Sequence, residues 1–133
     1  MFLRSILTAT ILSATATAAL ADAATVSRGR YLVEQVGMCS DCHSARDPKG
    51  QIVKSTALQG APLAFKPLVE MPFADVAPGI AGMPSGWTKP QLVTFLETGK
   101  RPDGSMPRPP MPEFRFNKAD AVAVADYLAS LKK

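Results

Sequence analysis

The chain has 133 residues and a formal net charge of +4, with 47% hydrophobic residues, enough for one domain with a modest core. The basic residues are scattered rather than run together, and there is little aromatic interleaving. This argues against a nucleic-acid-binding reading and leaves a mild positive field that can steer an acidic partner.

Reading from the N-terminus, Arg4 precedes an uncharged run from Ser5 to Leu20, and Ala19-Leu20-Ala21 has the small-x-small form of a cleavage site. That order reads as a secretory signal peptide over 1–21, leaving a mature domain at 22–133 and a periplasmic location. The run is shorter than the ~20 apolar residues a membrane span needs, and no later segment is apolar enough to cross. No stable membrane span is expected after the signal is removed.

Three helices follow from periodicity and caps. The first is expected over about 27–36, capped by Ser27, with Gly29, Leu32, Val33 and Val36 on one face and Gly37 ending it in the left-handed conformation. The second is expected over about 89–98, where Thr88 and Gln91 form a capping-box pattern, Pro90 sits in the first turn and Gly99 closes the helix. The third is expected over about 118–131, with Asn117 as N-cap, Asp120 three residues on, and Ala121, Val124, Ala125, Leu128 and Leu131 at helical spacing. Between the first two helices lie about 45 residues containing Pro48, Pro62, Pro67, Pro72, Pro78 and Pro84, with no convincing alternating strand. So long an irregular stretch in a small domain is reasonable only where it wraps something that serves as core, which points to a large buried cofactor.

Both cysteines and the only histidine fall in C-S-D-C-H, Cys39 to His43. A structural zinc site needs four ligands, and this cluster offers three. A thioredoxin-like dithiol needs a strand before the motif and a βαβ frame, and leaves His43 without a role. Covalent haem attachment uses all three residues: cysteines one helical turn apart each form a thioether to a vinyl group, and the adjacent His43 turns its imidazole to the iron. In an oxidising compartment, thiols bonded to a cofactor are also more reasonable than free ones.

Taken with S-R-G-R-Y-L before the motif and P-D-G-S-M-P-R-P-P-M-P-E-F-R-F-N before the last helix, the sequence resembles a class I cytochrome c, over about 27–131. It is similar to the haem domains that serve periplasmic alcohol and aldehyde dehydrogenases. The resemblance implies an all-α fold, with three main helices and long Pro/Gly-rich loops wrapped around one covalently bound haem c. It implies that Gly29 packs against Tyr127 where the first and last helices cross. It also implies a methionine as the second iron ligand, supplied by the loop before the last helix.

Within that loop Met111 is favoured over Met106, because Pro109, Pro110 and Pro112 restrict its backbone and reduce the entropy lost on holding a weak thioether ligand. The cofactor-binding set is thus Cys39, Cys42, His43 and Met111, with His43 and Met111 on the iron. The resemblance further offers Trp87 as a neighbour of the haem or of a propionate, Arg108 and Arg115 as propionate partners, and the Pro62 neighbourhood as source of the carbonyl that holds the His43 ring N–H. The implied function is one-electron transfer, with a periplasmic dehydrogenase as donor and an oxidase or another cytochrome as acceptor. No base or nucleophile in a substrate pocket points to an enzyme. The alternatives are a haem-based ligand-binding or sensor protein with a labile sixth ligand, and a thiol–disulfide oxidoreductase.

Overall fold

Residues 22–131 are described in a computed structural model of the chain. The expected leader at 1–21, with its cleavage site, lies outside the described residues. Helix α1 occupies residues 22–31 and continues as a π-helical turn, Leu32–Val36. It begins before Ser27, which lies inside it rather than at its cap. Ala23 and Ala24 are strong helix formers and nothing in 22–26 breaks the helix.

The π turn changes the expected face. The Gly37 N–H donates to Leu32 O at 2.7 Å, spanning five residues instead of four. The extra residue in the turn keeps Leu32 and Val33 buried but rotates Val36 outward, where it is 49% exposed. The left-handed residue is Met38 (φ 47°), not Gly37 (φ −81°). At Gly37 space is tight: a Cβ there would lie 3.1 Å from Leu32 O, 3.2 Å from Cys39 Sγ and 3.5 Å from Phe114.

After Met38 the chain forms a short helix α2, Cys39–His43, so the three expected helices become four. The Pro-rich middle is mostly irregular, with one 3-10 turn at Lys54–Thr56. It does contain a small antiparallel ladder that was not expected: β1 (Ala61–Pro62) pairs with β2 (Val76–Ala77), Ala61 opposite Ala77 and Pro62 opposite Val76. Two residues per strand are too few for an alternating pattern to register.

Helix α3, Lys89–Thr98, has the full capping box between Thr88 and Gln91 and ends at left-handed Gly99 (φ 73°). Helix α4 is Lys118–Ser130, and Asn117 accepts a hydrogen bond from the Asp120 N–H at 2.9 Å. Both match the expected spans to within a residue.

The core joins Leu32 and Val33 of α1, Leu92, Val93, Phe95 and Leu96 of α3, and Ala121, Val124, Ala125, Tyr127 and Leu128 of α4. Helices α1 and α4 cross at Gly29. A Cβ built there would sit 1.9 Å from Ala123 O and 2.8 Å from Tyr127 Cβ, so only glycine allows the two backbones this close. The expected Gly29–Tyr127 contact is present, and Tyr127 OH extends it by donating to Glu34 Oε1 at 2.5 Å. Among the described residues, no helix is long and apolar enough to cross a membrane.

Candidate functional site

A largely apolar cavity of about 600 Å³ opens between α1, α3, α4 and the loops. This lies within the roughly 300–1,000 Å³ of pockets that enclose a large organic ligand. Cys39, Cys42 and His43 of α2 line it, as do Met111 and Trp87. The five-residue helix is what presents the motif on one wall: residues 39 and 42 are one turn apart, and His43 follows directly.

His43 is 6% exposed. Its Nδ1 lies 2.7 Å from Pro78 O. A carbonyl can only accept, so Nδ1 carries the proton and the neutral ring keeps its lone pair on Nε2. Burial pushes the ring's pKa down, against a smaller opposite effect of the Pro78 bond, which favours this neutral form.

The acceptor is therefore Pro78, not the expected Pro62 neighbourhood. The Pro62 segment acts one step further back. Gly60 N–H donates to the His43 main-chain oxygen at 2.8 Å, and β1 pairs with the strand that leads into Pro78. Gly60 and Gly79 meet backbone to backbone: a Cβ on Gly60 would be 2.7 Å from Gly79 N, and one on Gly79 would be 2.8 Å from Gln59 O. The imidazole is thus gripped from its backbone and from its ring by two segments that the small ladder clamps together.

On the loop before α4, Met111 lines the cavity and packs partly buried against the core. The loop is fixed by Met111 N–H to Arg108 O at 3.1 Å and by Ala74 N–H to Pro109 O at 2.8 Å, and the Pro109–Pro110 bond is cis. Met106 is not on the cavity wall; it is 37% exposed and faces Gly99. Met38 lines the cavity beside Cys39, and Met71 lies outside it.

Trp87 is both wall and core: its ring meets Phe95 edge-on at 5.3 Å. Arg108 lines the cavity. Arg115 does not, and is occupied by Glu113 and by Phe114 O. Arg101, Pro78 and the loop residues Leu63, Ala74 and Val76 also line it and were not expected there. No local spacing marks them, because each reaches the cavity through long-range chain folding.

Comparison with known families matches residues 26–132 to Cytochrome c. The chain belongs to the cytochrome c family. Members are electron-transfer proteins, not enzymes, and bind haem c covalently; Cys39, Cys42 and His43 fit their C-x-x-C-H motif. The chain is also 33% identical over 76 residues to a protein of Cereibacter sphaeroides named "Diheme cytochrome c-type". That match covers 57% of this chain and 23% of the relative, so this cytochrome c spans less than a quarter of the length of the relative it matches.

The residues present fit haem c. The cavity is apolar, both thiols are half-buried on its wall and unbonded to each other, and an imidazole lone pair is left over beside them. A thioredoxin-like dithiol does not fit: among the described residues no strand precedes the motif, and burial pushes the Cys39 thiol up to about 11, away from the lowered pKa that activates such thiols. Zinc does not fit either: among the described residues, no three His, Cys, Asp or Glu side chains are grouped to hold a metal ion.

Proposed function

We propose that this chain is an exported, class I, mono-haem electron carrier. Cys39 and Cys42 would tether the haem, and His43 and Met111 would ligate its iron. The reading is carried by one observation: the motif residues and Met111 line the same apolar cavity, whereas Met106 does not. The bound group supplies reversible one-electron exchange at iron.

The chain's own residues set the conditions for that exchange. Pro78 O holds the His43 ring in one tautomer, which leaves the lone pair on Nε2. The Arg108–Met111 turn holds the thioether on a stiff loop, which lowers the entropy lost on ligation. Leu32, Leu92, Phe95, Leu96 and Leu128 exclude water from the wall. Held by Met111 and His43 together, the iron would favour its reduced state more than with two imidazoles and would have no site left for dioxygen.

The leader at 1–21 is removed near Ala21, and the domain works in the periplasm between a dehydrogenase as donor and an oxidase or second cytochrome as acceptor. The testing experiment is the visible spectrum of Met111→Ala and Met106→Ala proteins. Met111→Ala loses the methionine–iron charge-transfer band and binds carbon monoxide rapidly when reduced; Met106→Ala keeps the band and excludes carbon monoxide. The opposite pattern assigns the ligand to Met106. Rapid carbon monoxide binding by the unsubstituted protein supports a sensor.

A further inference from the structure

Apart from Tyr127, the buried polar side chains among the described residues are His43 and its neighbour Ser44. His43 belongs to the proposed iron site. Ser44 is 3% exposed and lines no part of the cavity, so it reaches the iron only through other residues. Its Oγ accepts from the Leu58 N–H at 2.9 Å. We propose that Ser44 is a positioning residue for the iron ligand: by holding Leu58 it sets how firmly the Pro78 carbonyl grips the His43 ring.

The conformation of Leu58 is the first support. Its φ of 61° is left-handed, where a leucine is strained and a glycine would not be. Strain of this kind persists only where the surroundings impose it. Here the core takes the side chain, which is 2% exposed, and Ser44 Oγ takes the N–H. Without that oxygen a buried donor is left unpaired, and the backbone gains by turning away.

The second is what Leu58 carries. Its carbonyl accepts from Ile80 N–H at 2.8 Å and from Ala81 N–H at 2.9 Å. These amides follow closely on Pro78, whose oxygen lies 2.7 Å from His43 Nδ1. A turn of the Leu58 backbone moves this carbonyl, and the 78–81 segment follows it.

The third is register. Gly60 donates its N–H to the His43 main-chain oxygen at 2.8 Å. Leu58 and Gly60 therefore hold Ser44 and His43 side by side, and the same strap holds the segment that ends on the ring. These contacts form a circuit that begins and ends at His43. With Gly60 as its sole tie to residues 43 and 44, the strap is free to pivot.

The proposal rests on the haem reading, and its test keeps the two apart. His43 is the only histidine, so magnetic resonance of reduced holoprotein made with isotope-labelled histidine shows a single ring. Covalent haem is verified by intact mass. Exchange of the Nδ1 proton with solvent and midpoint potential are then compared for the unsubstituted protein, Ser44→Ala, Ser44→Thr and Tyr127→Phe. Ser44→Ala is expected to speed the exchange by about tenfold or more, as loss of one buried hydrogen bond does. It also raises the potential, because a less firmly held ring is a poorer donor to iron. Ser44→Thr keeps the oxygen and restores both. Tyr127→Phe loses a hydrogen bond away from the cavity and moves neither. Unmoved exchange and potential in Ser44→Ala overturn the proposal, as does an equal change in Tyr127→Phe. The unsubstituted protein decides the matter even where Ser44→Ala fails to fold. Its Leu58 N–H and His43 Nδ1–H should be protected to the same degree, since one opening frees both, and a Leu58 amide far less protected than the ring overturns the proposal. An unsubstituted protein without the haem mass overturns the haem reading itself.

Discussion

Tyr127 joins α1 to α4 through one hydrogen bond, and its titration follows from where it sits. Burial first, then the bond to Glu34, pushes the phenol from 10.0 up to about 12. Below pH 10 the folded and unfolded chains both keep this proton, and the stabilisation is fully present. Between pH 10 and 12 the unfolded chain gives up the proton and the folded one does not, so stability falls as pH rises. Tyr127→Phe should remove that part of the alkaline loss and cost about 1 kcal/mol at pH 7 for the missing hydrogen bond. Urea unfolding of both proteins at pH 7 and 11 checks this, because their shared lysines cancel in the difference; an unchanged pH slope in the Phe variant refutes it. The grip on His43 gives a second prediction. Gly79→Ala drives a Cβ to 2.8 Å from Gln59 O and must push the Pro78 carbonyl away from Nδ1. A weakened Nδ1–H bond makes the imidazole a poorer donor to iron, so the midpoint potential should rise. An unaltered potential in a folded, haem-loaded Gly79→Ala protein would count against that link.

At the scale of elements, the α1–α4 crossing reverses an ordinary expectation. Inside a helix, glycine to alanine usually stabilises by about 0.5–1 kcal/mol. At Gly29 the added methyl would lie 1.9 Å from Ala123 O, so the helices must separate and the change should instead cost about 2–3 kcal/mol. Ser27 provides the contrast. As an N-cap its loss would cost about 1 kcal/mol, but inside α1 and exposed, Ser27→Ala should be neutral or slightly stabilising. Denaturant midpoints of the two variants separate these readings. The same pair shows what was legible in the sequence. The starts of α3 and α4 are written locally, by Thr88 with Gln91 and by Asn117 with Asp120, and the structure begins both helices there. The motif residues were equally legible, since α2 needs only consecutive positions. The outward turn of Val36 was not, because nothing in L-V-E-Q-V announces a five-residue hydrogen bond. Pro78 was missed in favour of Pro62 because the two are joined by a ladder of two residue pairs. Arg101 was missed because its place on the cavity wall depends on the whole loop.

For the whole molecule, the decisive fact is that the cavity and the core share their side chains. Seven of the thirteen residues in the core cluster, Leu32, Val33, Leu92, Phe95, Leu96, Val124 and Leu128, also line the cavity. Those side chains find neither a close-packed neighbour nor full hydration on their cavity side without a ligand, so the chain without haem should collapse or open there rather than hold this form. The loss should be uneven. Helix α3 turns Leu92, Phe95 and Leu96 to the cavity, whereas α1 and α4 also hold each other at Gly29, Ala123 and Tyr127, away from it. A Cys39→Ala/Cys42→Ala chain produced without haem should therefore keep part of its far-ultraviolet helical signal, lose near-ultraviolet dichroism and melt without a sharp transition. Amide exchange should be fast throughout α3 and slower near the α1–α4 crossing. A sharp, cooperative melt with α3 protected would mean that the wall stands without its ligand, and that the haem fills a finished pocket instead of completing the core.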